Sequence, residues 1–187
     1  MWNKLLKKWT GKIYQTKNKR VKERYAFFKE NAHIFGGKKV LDIGCNACLF
    51  TTLIAGQCKV YVGLEKEDKY YAQGAITIKD IGRKEFFIFN CSFREHLNST
   101  AFQPNALILS RVLYYLSDDD IGDLRDRILP HVDTVLFVCG AKPKSVVRNS
   151  WAFHDPNSVM LLLKGFKIDY KWDSERVFFM GVAKRES

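Results

Sequence analysis

Long apolar segments are absent from this chain of 187 residues. No apolar stretch approaches the roughly 20 residues that a membrane-spanning helix needs. The N-terminus is too basic, and too often interrupted by polar residues, for a secretory signal. Internal repeats, low-complexity tracts and an interdomain linker are also absent. With 47% hydrophobic residues at this length, we expect one compact domain in a soluble, cytoplasmic protein.

Cysteine and histidine are few and poorly arranged for binding a metal. The five cysteines are odd in number and scattered over strand-like segments, which indicates reduced thiols rather than a disulfide framework. Cys45 and Cys48 form one C-x-x-C pair, but a structural zinc site needs a second cysteine pair or a histidine pair. The four histidines stand alone in the sequence. We therefore expect no metal site, and redox use of the C-x-x-C pair is equally disfavoured.

Positive charge is concentrated at the N-terminus. The whole chain carries a formal net charge of +11, of which residues 1–30 contribute +8, from ten Lys or Arg against Glu23 and Glu30. In this segment Trp2, Leu5, Trp9 and other apolar residues fall at helical spacing with lysines between them. The pattern predicts a basic helical arm over residues 1–37 that packs on the domain. Its charge would also attract nucleic acid or an acidic membrane face, so a binding role stays open beside simple packing.

From residue 38 onwards the pattern alternates between short runs rich in Val, Ile and Phe and segments of helical periodicity. Such alternation is typical of an α/β domain. The predicted strands cover 39–43, 59–64, 86–90, 105–110, 134–139, 166–171 and 176–184. The predicted helices lie near 48–56, 67–79, 118–129 and 157–164.

One stretch, KKVLDIGCNACLFTTLIA at residues 38–55, places a strand, a glycine turn and a helix in succession. Gly44 permits a sharp turn out of the first strand, and backbone N–H groups at the next helix start can face a ligand. Glu65 ends the second strand 21 residues after Gly44, where a carboxylate can accept both hydrogen bonds of a ribose diol. The order of these elements predicts a nucleoside-binding edge of the sheet.

These motifs resemble those of the class I S-adenosylmethionine-dependent methyltransferases over residues 38–186. VLDIGCNAC is similar to their first motif, D-x-G-x-G-x-G, and VGLEKE to the segment that grips the adenosine ribose. The tail, LLLKGFKID followed by RVFFMGVAKR, resembles their closing hairpin. The resemblance implies a Rossmann-like three-layer αβα sandwich over 38–187. Its seven-stranded, mostly parallel sheet would have the order 3-2-1-4-5-7-6, with the last strand antiparallel.

The resemblance also implies a cofactor, S-adenosyl-L-methionine, and residues that hold it. FNCSFREHL would line the adenine, and the segment after the fourth strand in ALILSRVLYYL would face the methionine end. The implied cofactor contacts are Asp42, Gly44, Cys45, Asn46, Cys48, Phe50, Glu65, Lys66, Cys91, Ser92, Phe93, Ser110 and Arg111.

Two residues depart from the first motif of that family. Asn46 and Cys48 stand where the second and third glycines are usual. Asn tolerates a left-handed backbone better than other side chains, so Asn46 can keep the turn. Cys48 puts a side chain where the backbone normally approaches the cofactor closely. The alternative to an enzyme is therefore a methyltransferase-like binding module with an eroded cofactor motif. A nicotinamide oxidoreductase is disfavoured, because the later glycines are missing.

The residues after the fourth strand narrow the choice of methyl acceptor. Enzymes that methylate the adenine amino group carry Asn or Asp followed by Pro-Pro at this place, where this chain has Ser110 and Arg111. Enzymes that methylate the ribose 2′-hydroxyl have an Asp at the place of Ser110. No proline precedes a cysteine, as methylation of the cytosine ring would require. Hydroxyl, carboxylate, phosphate and other nitrogen acceptors remain open. Arg111, Tyr115 and His154 are the candidate catalytic residues, each with an ordinary packing or loop role as its alternative. The aromatic and basic residues of the arm favour RNA or DNA somewhat over a small molecule.

Overall fold

The computed structural model describes residues 19–140, 156–173 and 178–186, and in them it contains a seven-stranded sheet. The first helix predicted for the basic arm, through Trp2 and Trp9, lies outside the described residues. The strands are β1 Lys39–Ile43, β2 Val60–Leu64, β3 Phe86–Phe89, β4 Ala106–Ser110, β5 Thr134–Gly140, β6 Phe166–Asp173 and β7 Phe178–Arg185. Each predicted strand is therefore present, with ends that differ by one or two residues.

The strand order is β3-β2-β1-β4-β5-β7-β6. Strands β1 to β5 pair in parallel, and β7 runs antiparallel between β5 and β6. The order predicted from the resemblance, with its antiparallel last strand, is confirmed. All seven residues of β5 are buried, as expected for a central strand that is covered on both faces.

Six α-helices surround the sheet in the described ranges. They are α1 Lys19–Asn31, α2 Thr51–Ile54, α3 Asp68–Ile81, α4 Phe93–Ser99, α5 Asp118–Asp123 and α6 Pro156–Leu162. A 3-10 turn, Ala32–Phe35, follows α1, and another, Leu113–Tyr115, precedes α5. A π-helical turn, Leu124–Ile128, and a 3-10 turn, Leu129–His131, follow α5. In place of the single helix predicted over 118–129, the structure thus has an α-helix, a π-helical turn and a 3-10 turn in succession.

Helix α4 spans 7 residues and was not predicted, because Phe93 and Leu97 are too few apolar residues to show a helical period. Its start is nevertheless encoded locally. The Ser92 hydroxyl accepts a hydrogen bond from the Glu95 N–H, and the Glu95 carboxylate accepts one from the Ser92 N–H. This capping box satisfies two of the free N–H groups at the helix start.

The core lies on both faces of the sheet. Leu41 and Ile43 of β1 belong to one buried hydrophobic cluster, with residues of α4, α5 and α6. Val40 belongs to a second, with residues of α1, α2 and α3. Because alternate residues of a strand point to opposite faces, these two clusters form the two interfaces of the αβα sandwich.

Helix α1 belongs to this packing, although it lies within the segment predicted as an arm. Phe28 and, in the turn that follows, Phe35 have no exposed surface. Phe27 and Ala32 join them in the second cluster. The division of the chain at residue 37 stays a prediction, but the described part of the arm is packed on the domain.

No helix in the described ranges is both long and apolar enough to cross a membrane.

Helix α3 approaches the loop after β1 at Gly74. A Cβ at Gly74 would lie 2.5 Å from Ile88 Cδ1, 3.0 Å from the Asn46 carbonyl oxygen and 3.2 Å from Cys48 Sγ. The Thr77 hydroxyl of the same helix donates a 3.0 Å hydrogen bond to the Ala47 carbonyl. The absence of a side chain at Gly74 therefore allows α3 to support this loop.

We expect Gly74→Ala to lower the free energy of unfolding by about 1–3 kcal/mol, because the added methyl overpacks the contact with the loop backbone. Gly122 of α5 is the matched control, since a Cβ there meets no atom within 4 Å. Gly122→Ala should raise stability by up to about 1 kcal/mol through helix propensity. Urea unfolding of both variants measures the two effects, and a stabilised Gly74→Ala would contradict the close approach.

Candidate functional site

The chain bends sharply after β1, at the edge where the parallel strands end. Gly44 has φ +70°, a conformation that favours glycine. The N–H groups of Gly44 and Cys45 both donate to the Leu64 carbonyl, at 2.9 and 3.0 Å. A Cβ at Gly44 would lie 2.9 Å from Val112 Cγ2. The bend is therefore held against β2 on one side and against the loop after β4 on the other.

The two residues that replace glycines keep a glycine-like backbone. Asn46 has φ +54° and Cys48 φ +53°, so Asn46 adopts the left-handed conformation expected of it. Cys48 adopts it too, at a cost of roughly 1–2 kcal/mol for a side chain other than glycine. The Cys48 side chain is buried, with Sγ 3.6 Å from Cys45 Sγ and 3.8 Å from the Tyr61 hydroxyl. The thiol therefore points into the core.

Glu65, directly after β2, faces this loop and is buried. One carboxylate oxygen accepts the Asn46 N–H and the other accepts the Glu67 N–H, each at 2.9 Å. An ionised carboxylate offers about four lone-pair positions, so both oxygens can accept further hydrogen bonds. The Glu65 carboxylate thus links the β1 and β2 loops and keeps acceptor capacity for a ligand.

A cavity of about 650 Å³ lies between these loops. Most residues predicted to contact a cofactor or to act in catalysis line it: Gly44, Cys45, Asn46, Phe50, Glu65, Lys66, Cys91, Ser92, Phe93, Ser110, Arg111 and Tyr115. Their roles stay predictions. Asp42 and Cys48 do not line the cavity, because both side chains are buried below its wall. His154 lies outside the described residues.

Asp42 is buried beneath the cavity wall and accepts a 2.8 Å hydrogen bond from the Tyr61 hydroxyl. Burial raises the pKa of the Asp42 carboxyl to about 7; the hydrogen bond from Tyr61 opposes the shift and the nearby Glu65 charge adds to it. Asp42 thus supports the Gly44 bend from below, and its role as a cofactor contact stays a prediction.

One end of the cavity carries two guanidinium groups. Arg111 follows β4 with φ +61°, and its Nε donates a 3.2 Å hydrogen bond to the Tyr114 hydroxyl. Arg24 reaches the cavity from α1 and lies 5.5 Å over the ring of Phe50. Burial, and then repulsion from Arg111, lower the pKa of Arg24 to about 10, while Tyr114 opposes the shift. Both side chains are thus cationic at neutral pH.

Two buried polar atoms in this wall have no hydrogen-bond partner among the described residues. They are Arg24 Nε and Ser110 Oγ. A buried polar group without a partner costs roughly 1–3 kcal/mol. Both residues line the cavity, although these two atoms have almost no solvent-accessible surface.

Arg24 and Tyr70 also line the cavity but were not predicted as site residues. For Arg24 a signal was present in the sequence. It falls three residues after Val21 and four before Phe28, so a charged residue stands within an apolar helical stripe. No comparable signal marked Tyr70, which sits on the first turn of α3.

The far end of the cavity is formed by the loop after β3. Cys91 and Ser92 are half-buried and Phe93 is buried. The capping box at Ser92 fixes the start of α4 there. Tyr115 stands at the exposed rim, with its ring centroid 4.7 Å from that of Tyr114.

In the described part of the chain no group of three or more His, Cys, Asp or Glu side chains could hold a metal ion.

No family model matches the chain, and no curated protein matches it in sequence. Several solved structures do match its fold. The N-methyltransferase NodS of Bradyrhizobium japonicum WM9, in complex with S-adenosyl-L-homocysteine, has a TM-score of 0.67 and 15% identity, covering 100% of this chain and 98% of NodS. A putative rRNA methylase of Clostridium thermocellum has a TM-score of 0.64 and 12% identity, covering 91% of this chain and 100% of that protein.

A third structure, the magnesium protoporphyrin IX methyltransferase of Synechocystis PCC 6803 with bound S-adenosylmethionine, has a TM-score of 0.60. It is 14% identical, and the match covers 88% of this chain and 77% of that one. The chain therefore has the Rossmann-like fold of the class I S-adenosylmethionine-dependent methyltransferases.

We expect Asp42→Asn to remove a pH dependence of stability. The pKa of Asp42 is raised in the folded state to about 7, so the unfolded chain loses this proton first and the native protein loses stability as pH rises. Between pH 5 and 8 the native protein should lose about 2 kcal/mol relative to Asp42→Asn.

Urea unfolding at pH 5 and pH 8 measures this difference. Asp169 is exposed on β6, and Asp169→Asn is the control that should keep the dependence of the native chain. Parallel pH profiles of the native chain and Asp42→Asn would show that the buried carboxyl is not protonated in the folded state.

Proposed function

We propose that this protein is an S-adenosylmethionine-dependent methyltransferase. The observation that carries the proposal is the Glu65 carboxylate beside the Gly44 bend, where both line a cavity of about 650 Å³. The similar structures are methyltransferases by name, and two of them hold S-adenosyl-L-homocysteine or S-adenosylmethionine.

The cavity lining offers side chains suited to the ribose, the adenine and the amino-acid group of the cofactor. Glu65 can accept hydrogen bonds from a ribose diol, and Cys91, Ser92 and Phe93 can border the adenine. At the other end the cofactor's amino-acid group would bring a carboxylate and an ammonium to the wall that Ser110 lines. Arg111 lines the cavity beside Ser110 and would bind that carboxylate.

The bound cofactor supplies a methyl group activated by a sulfonium, so the protein has to orient the two reactants and exclude water. Glu65 and Arg111 would fix the two ends of the cofactor. Phe50, Tyr114 and Tyr115, which line the cavity, would shield the methyl group from water during the transfer. Burial raises the pKa of Tyr114, although Arg111 opposes the shift, so its hydroxyl serves as a hydrogen-bonding group at neutral pH. Arg111, Tyr115 and His154 remain the proposed catalytic residues.

The binding-module alternative depends on whether Cys48 blocks the cofactor. It predicts that Cys48→Gly creates an affinity that the parent chain lacks. Because Cys48 does not line the cavity, we expect Cys48→Gly to leave the affinity for S-adenosyl-L-homocysteine unchanged in calorimetry. A large gain in affinity would instead favour the eroded module.

The proposed acceptor includes nucleic acid, held by the basic arm. Residues 1–30 carry a net +8, and two similar structures are named as rRNA methylases. Deletion of residues 1–16, which leaves α1 intact, should weaken RNA binding and reduce the slope of log K against log salt. Filter binding at several salt concentrations measures both quantities. An unchanged slope would show that residues 1–16 do not bind RNA phosphates, and would favour a small-molecule acceptor.

We expect the native chain to bind S-adenosyl-L-homocysteine, and Glu65→Gln to weaken binding about ten-fold or more, because charged hydrogen bonds to the ribose are lost. Calorimetry measures both. Glu85 is exposed and pairs with Arg83 at 3.5 Å, so Glu85→Gln is the control that should bind normally.

Ser110→Ala provides a second variant that does not disturb the loop. Its hydroxyl lacks a partner among the described residues, so its removal should leave stability unchanged or slightly higher while the cofactor binds more weakly. Absence of heat for the native chain with both S-adenosylmethionine and S-adenosyl-L-homocysteine would overturn the proposed function.

A further inference from the structure

The two guanidinium groups of the cavity come from different parts of the fold. Arg24 is on α1, Arg111 follows β4, and both line the cavity. They are close enough for repulsion from Arg111 to contribute to the lowered pKa of Arg24. Placing two like charges side by side is unfavourable unless an anion lies between or beside them.

The acidic residues of the cavity do not neutralise this pair. Within the described ranges no ion pair joins Arg24 or Arg111 to a carboxylate. Glu65 is bound to backbone N–H groups. Asp120 accepts the Ser117 N–H at 2.9 Å and lies 3.5 Å from Arg94. Glu67 is exposed.

The cofactor alone does not supply enough negative charge. S-Adenosylmethionine has one carboxylate, but its ammonium and sulfonium leave it with a net positive charge. Under the proposed function, Arg111 pairs with that carboxylate. Arg24 lines the cavity and pairs with no carboxylate among the described residues, so its charge remains for a second ligand.

We infer that the methyl acceptor of this protein presents an anionic oxygen, a carboxylate or a phosphate, and that Arg24 binds it. The inference rests on the proposed function, and it names the acceptor class for the same cavity. An acceptor amine is disfavoured, because the unpaired charge of Arg24 repels its ammonium form. Arg24 lies 5.5 Å over the ring of Phe50, which lines the same cavity.

The guanidinium of Arg24 favours the deprotonated acid, so the acceptor needs no separate base. A lone pair of the acceptor oxygen forms the new O–C bond. The electron pair of the broken C–S bond stays on sulfur, and the products are a methyl ester and S-adenosyl-L-homocysteine. No proton moves in this step.

Binding of small probes to the protein saturated with S-adenosyl-L-homocysteine tests the inference. Saturation-transfer NMR should detect benzoate and phenyl phosphate, and should not detect benzylamine. Arg24→Gln should lower the affinity for benzoate and phenyl phosphate about ten-fold or more. Its affinity for S-adenosyl-L-homocysteine and its melting temperature should stay near those of the native chain. Arg24→Lys should recover part of the anion binding. Lys22, exposed on the same helix, gives the control Lys22→Gln, which should bind all probes normally.

The source of the anion is tested with two RNA oligonucleotides of one sequence, one with a 5′-phosphate and one with a 5′-hydroxyl. A preference for the phosphate that Arg24→Gln removes assigns the site to a nucleic-acid end, and binding of the small anions alone assigns it to a small acid. Benzylamine binding equal to benzoate, anion binding unaffected by Arg24→Gln, or loss of S-adenosyl-L-homocysteine binding in Arg24→Gln would overturn the inference. Failure of the native chain to bind S-adenosyl-L-homocysteine would instead overturn the proposed function.

Discussion

The carboxylate of Glu65 is the contact on which the candidate site depends. β1 and β2 are parallel neighbours, with Ile43 opposite Leu64, so their loops leave the same edge of the sheet. Glu65 accepts an N–H from each loop, and the Leu64 carbonyl accepts two more from the Gly44 bend. Since α3 begins at Asp68, these bonds also fix the helix that supports the loop. The cavity floor is therefore set by backbone geometry.

Backbone strain surrounds this cavity. Asn46, Cys48 and Arg111 are the three non-glycine residues with positive φ in the described ranges, and each costs roughly 1–2 kcal/mol. Their surroundings hold them in place: Glu65 binds the Asn46 N–H, and the Arg111 N–H donates a 2.7 Å bond to the Val138 carbonyl. Strain of this kind concentrates at functional sites. At Arg111 it directs a cation into the cavity immediately after β4.

Sequence patterns were enough to predict the strands and the strand-turn-strand frame around Gly44 and Glu65, because buried strands and glycine turns depend on local residue types. The strand order came from the resemblance. Side-chain direction was less predictable. Asp42 and Cys48 belong to the motif, but whether their side chains face a ligand or the core depends on Tyr61 and Cys45, which the fold brings near them. Helix α4 was not predicted because it lacks a helical pattern of apolar residues, although its capping residues, Ser92 and Glu95, can be recognised in the sequence.

The N-terminal region is basic, but apolar packing holds its described part. The arm was predicted to pack on the domain, and in the described residues Phe28 and Phe35 are fully buried against the sheet. The same helix places Arg24 over Phe50 at the cavity, four residues from Phe28. Packing of α1 into the core therefore also sets the position of a cation in the site. The segment 19–35 thus contributes both to the core, through Phe28 and Phe35, and to the cavity lining, through Arg24.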